Sequence, residues 1–61
     1  MVKQDAEILY HAAAANQEAL RIATLCEAAQ APASMIEDAR ANSLNAGMVL
    51  RMAIERFLRT L

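Results

Sequence analysis

Gln30-Ala31-Pro32-Ala33-Ser34 is the clear break in a chain whose other residues recur with helical spacing. Pro32 disfavours helical geometry at Ala31 and has no N–H to donate. Ser34 followed by Glu37 has the spacing of a capping box, which would make Ser34 the N-cap and Met35 the first residue of a new helix. These five residues predict a reversal, and the fold follows from what lies on either side.

Upstream, Ile8, Ala12, Ala15, Ala19, Ile22, Cys26 and Ala29 recur by alternating fours and threes. Downstream, Ile36, Ala39, Ser43, Ala46, Leu50, Ala53 and Phe57 do the same. That rhythm marks a helix seam held against one partner. The predicted fold is all-α: an antiparallel helical hairpin with an Ala-rich seam. It comprises one domain over residues 1–61, with helix 1 at about 5–29, the turn at 30–34 and helix 2 at about 35–60. Centring the reversal between Pro32 and Ala33 sets Ala15 opposite Leu50 and Ile22 opposite Ser43. Asn42 to Gly47 is the weak point of helix 2, because glycine in a helix interior costs about 1 kcal/mol relative to alanine. A three-helix alternative would break there. The unbroken helix is favoured, since the stripe passes through Ser43 and Ala46 without losing phase.

Composition agrees with helices. The chain has one Gly, one Pro, no Trp, and a single Phe and Tyr. Its 61 residues allow only a thin core. Chains of this size rarely gain more than about 3–5 kcal/mol from a core without disulfides, metal or association. The single cysteine, Cys26, excludes an internal disulfide. Association is the remaining route, and the apolar residues left off the seam show where it would act. Leu44, Met48 and Met52 form an i, i+4, i+8 row on helix 2, and methionine suits adaptable binding surfaces. Met35 and Val49 flank the seam on one edge, with Ile54, Leu58 and Leu61 on the other. On helix 1, Tyr10 and Leu25 stand outside the main face, and Leu9 and Leu20 lie at its edge. The expected interaction residues are Leu44, Met48, Met52, Tyr10 and Leu25. Their partner would be a second copy, giving a homodimeric four-helix bundle, or a larger helical protein.

No reacting centre is visible. His11 is the sole histidine, with Glu7 one turn back, and one such pair is not a metal site. Cys26 lies in the seam, away from any helix N-terminus that would activate a thiol. The carboxylates do not converge, and a single glycine cannot build a phosphate loop. An enzyme, a cofactor and a metal are accordingly not expected. Asn16, at the edge of the seam, reads as a surface amide or as a polar register device, the former preferred.

Net charge is −1, with the acidic excess in the first half and the basic excess in the second. This gives no general drive towards nucleic acid or an anionic membrane. Arg51, Arg56 and Arg59 are the candidates for an RNA contact, but spacings of five and three spread them, Glu55 lies among them, and no aromatic joins them for stacking. No stretch approaches the ~20 apolar residues of a membrane span. The N-terminus lacks the basic-then-apolar order of a signal peptide, and with an unpaired thiol the expected compartment is the cytoplasm.

In length and central turn the chain resembles two groups of small hairpins. One is the plasmid-encoded Rop-type RNA-binding dimers; the other is the helical-hairpin co-chaperones of type III secretion needles. The likeness lies in layout, and no residue motif carries roles across. It frames two expectations: a non-enzymatic interaction module (small adaptor, subunit or co-chaperone), or a Rop-like dimer binding structured RNA through the outer arginines.

Overall fold

A computed structural model of the protein describes residues 2–61, except the side chain of Val2. Two helices account for nearly all of it: α1, Val2–Ala28, and α2, Ala33–Arg59. Each has 27 residues, which at 1.5 Å per residue makes a rod of about 40 Å. The molecule measures 43 × 13 × 11 Å, so the helices lie side by side along their whole length. Ion pairs at both ends fix the antiparallel sense: Glu27 with Arg40 beside the turn, and Asp5 with Arg56 at the open end. The fold is an all-α helical hairpin.

The turn is built differently from its sequence reading. Gln30 takes a left-handed conformation, φ 54°. The Ala31 N–H donates to the Cys26 carbonyl at 3.0 Å, and the Gln30 N–H to the Glu27 carbonyl at 3.1 Å. This crossed pair is a Schellman motif, which satisfies carbonyls that the end of α1 would leave orphaned. Gln30 holds the position that glycine usually fills.

Pro32 then serves as N-cap of α2, with φ −52° and ψ 146°. Its carbonyl accepts from the N–H groups of Met35 at 2.9 Å and Ile36 at 3.1 Å. The capping box at Ser34 and Glu37 is not formed, and no side chain caps the helix. The physical reason is the proline ring. It holds Pro32 in the extended geometry an N-cap needs, and Ala33 then enters the helix two residues ahead of the expected start. At the other terminus α1 begins at Val2, because nothing in Val2-Lys3-Gln4 breaks a helix. The Thr60 hydroxyl closes α2, donating to the Phe57 carbonyl at 2.7 Å.

α2 is continuous through Gly47. Its seam is the predicted one: Ala53 is buried, and Ile36, Ala39, Ser43, Ala46, Leu50 and Phe57 are half-buried. The seam of α1 is rotated. Asp5, Leu9, Ala12, Asn16, Ala19, Ala23 and Cys26 face α2, whereas Ile8, Ala15, Ile22 and Ala29 are exposed. Ala12, Ala19 and Cys26 belong to both stripes. The other members shift by one residue, from Ile8, Ala15 and Ile22 to Leu9, Asn16 and Ala23. The predicted facing pairs Ala15–Leu50 and Ile22–Ser43 are therefore not made. Instead Asn16 lies against Gly47, its Oδ1 3.5 Å from where a Cβ at position 47 would stand. Asn16 is half-buried against α2, so it belongs to the seam and is not a plain surface residue.

Candidate interaction surface

Only four residues among those described are buried, and all are alanines: Ala12, Ala19, Ala23 and Ala53. Small seam residues allow close approach of two helices but remove little apolar area from water. Fully burying one Leu or Ile would contribute about 1.5–3 kcal/mol, and among the described residues no side chain of that size is buried. Thirteen large apolar side chains among them remain exposed instead.

They fall on both flanks of the seam. On α1, Ile8, Ala15 and Ile22 each precede a seam residue, whereas Ala13, Leu20 and Glu27 each follow one. Those positions lie on opposite sides of the helix. The same logic on α2 sets Met35, Val49 and Arg56 against Arg40, Gly47 and Ile54. A shallow groove of about 530 Å³ lies on the first flank towards the open end of the hairpin, between Ile8 on α1 and Val49, Met52 and Arg56 on α2. A smaller one, about 340 Å³, runs along the second, between Leu20 and Thr24 on α1 and Ser43 and Leu44 on α2. Arg40 crosses the second groove near the turn. Its Nε and Nη2 both reach the same Glu27 carboxylate oxygen at 2.7 Å.

The sequence-derived interaction residues are all exposed, but they do not share one face. Leu44 lines the smaller groove and Met52 the larger, with Met48 on the back of α2 between them. The row therefore winds around the helix from one flank to the other. Leu25, three residues beyond Ile22, extends the larger groove's flank. Tyr10 lies on the opposite flank and is 71% exposed, its ring edge-to-face with His11 at 5.6 Å.

Ile8 and Ile22 are the surface residues that sequence reasoning missed, because it had assigned them to the seam. The available signal was Asn16, a polar residue at the seam edge, which the structure sets opposite Gly47.

The three arginines are divided as well. Arg56 and Arg59 line the larger groove, and Arg51 does not. The Arg56 Nε lies 3.4 Å from the Asp5 carboxylate, whose side chain is only 12% exposed. Cys26 is a free, half-buried thiol in the last turn of α1. Among the described residues no group of three His, Cys, Asp or Glu could hold a metal ion, and no helix is long and apolar enough to cross a membrane.

Compared with models of known protein families, with curated proteins and with solved structures, the chain matches none.

Proposed function

We propose that this chain is a protein-interaction module, a small adaptor, subunit or co-chaperone that works by presenting the apolar flanks of its hairpin. The carrying observation is the disproportion, among the described residues, between four buried alanines and thirteen exposed large apolar side chains. A monomer of 6.6 kDa exposes about 3,900 Å² by the usual scaling with mass, and this chain exposes 4,895 Å². The excess, about 1,000 Å², follows from the elongated shape, 43 × 13 × 11 Å, in which no further layer covers the flanks. Covering one or both flanks with further helices, as in a four-helix bundle, would bury the side chains that the hairpin leaves in water.

The test is the molar mass of the purified protein by sedimentation equilibrium, combined with thermal unfolding across a range of concentrations. Association, or a weakly folded monomer that gains structure only with a partner, fits the proposal. A monomer that unfolds cooperatively at a concentration-independent, high temperature contradicts it. Salt-steep binding to structured RNA that falls on replacing Arg51, Arg56 and Arg59 with Ala would move the reading to nucleic acid.

A further inference from the structure

We infer that the first occupant of the larger-groove flank is a second copy of this chain, docked antiparallel through α1 with a two-fold axis at Ala15. The inference rests on the reading of the chain as an interaction module and identifies its partner and face.

Three observations lead to it. The first is the outward row Ile8, Ala15, Ile22. It steps by seven residues, carries no charge, and stands to one side of the buried Ala12 and Ala19. A helix with heptad rows on adjacent faces can pack against two neighbours at once, and the hairpin supplies one of them. The second is self-complementarity. An isologous interface requires each residue to meet a suitable partner under the two-fold. An axis at Ala15 sets Ile8 against Ile22 of the second copy, and Ala15 against Ala15. The large residues then pair at both ends, while the small pair at the centre lets the helices close. The same axis brings His11 across from Glu18 of the second copy, a favourable pair at the rim. The third is exposure. Ile8 and Ile22 remain 37% and 46% exposed beside a core of alanines, so this row keeps large apolar side chains that a second copy would cover. The opposite flank is less suited, because its row on α1, Ala13, Leu20 and Glu27, has Leu20 as its one large apolar residue and ends in a charge.

The experiment uses the full chain with Cys26→Ser, into which a single cysteine is introduced by Ala15→Cys or, separately, by Met48→Cys. Under mild oxidation Ala15→Cys is expected to give a disulfide-linked dimer in high yield, since the two thiols meet on the axis, and Met48→Cys is not. In parallel, Ile22→Glu in the otherwise unaltered chain should raise the dimer dissociation constant by roughly a hundred-fold or more. Symmetry places the charge at two points of the interface at once, so its effect is doubled. A dimer that crosslinks at position 48 and not at 15 overturns the assigned face while leaving the interaction reading intact. A monomer that folds only with another protein overturns the second copy as occupant and again spares that reading. A stably folded monomer with both flanks bare overturns both.

Discussion

α1 and α2 are equal in length and similar in composition, yet they use their apolar residues differently. α2 has one seam of graded size, ending in Leu50 and Phe57, and that seam faces the hairpin. α1 has two rows that share Ala12, Ala19 and Cys26 and diverge by one residue on either side. The hairpin takes Leu9, Asn16 and Ala23 and leaves Ile8, Ala15 and Ile22 outside. The more hydrophobic of the two rows is the more exposed one, with Ile8 at 37% and Ile22 at 46%. Local hydrophobicity therefore does not decide which row of α1 turns inward. Asn16 facing Gly47 marks where the fit between the helices does.

The sharpest way to break this contrast is to enlarge residues on the seam and off it. Ala19 on α1 and Ala53 on α2 are 6% and 7% exposed. Ala19→Leu or Ala53→Leu forces extra volume into the closest approach and should destabilise by about 1–3 kcal/mol. Ala14→Leu, on the exposed back of α1, should stay within about 0.5 kcal/mol. Urea midpoints at one fixed protein concentration would measure all three, the fixed concentration keeping any association constant. Equal losses at Ala14 and Ala19 would mean that α1 is turned differently from the arrangement described.

How much of this was legible follows from the same contrast. The hairpin, the turn, and the seam of α2 could be read because each had a single interpretation: one proline, and one stripe with large residues at its end. The orientation of α1 could not, because a shift of one residue exchanges one acceptable stripe for another at the cost of a single amide. The site inherited that ambiguity. With Ile8 and Ile22 assigned inward, the outward surface was sought on α2, in the row Leu44, Met48 and Met52. That row is exposed, but it winds between flanks, because a spacing of four residues drifts around a helix where a spacing of seven nearly holds one side.

Two glycine exchanges sharpen the comparison at smaller scale, one at the turn and one inside α2. Gln30 holds φ 54°, a conformation that costs an L-residue roughly 1–2 kcal/mol and glycine almost nothing. Gln30→Gly should stabilise the hairpin by about 1 kcal/mol, part of the relief being lost to the greater freedom of the unfolded chain. Gly47→Ala should gain about 0.5–1 kcal/mol from helix propensity. The added methyl meets the Asn16 Oδ1 at 3.5 Å, an ordinary contact. A loss on Gly47→Ala would show that Asn16 and Gly47 are packed more tightly than that distance implies, and that the pair enforces the rotation of α1.

The smallest expected effect discriminates between the two accounts of the turn. If Ser34 were the N-cap of α2, Ser34→Ala would remove the cap hydrogen bond and cost about 1 kcal/mol. With Pro32 as N-cap, Ser34 is the second residue inside the helix, and alanine is the better helix former there. The substitution should then leave stability within about 0.5 kcal/mol, on the favourable side if it moves at all. Glu37→Ala supplies the complementary measurement, because it removes the side chain that the reciprocal bond of a capping box needs and the observed arrangement contains no such bond. A loss near 1 kcal/mol at Ser34, accompanied by a smaller one at Glu37, would restore the capping box and move the start of α2 to Met35. The Pro32 carbonyl would then no longer accept the first N–H groups of the helix, and the turn that sets the register of both seams would have to be redrawn.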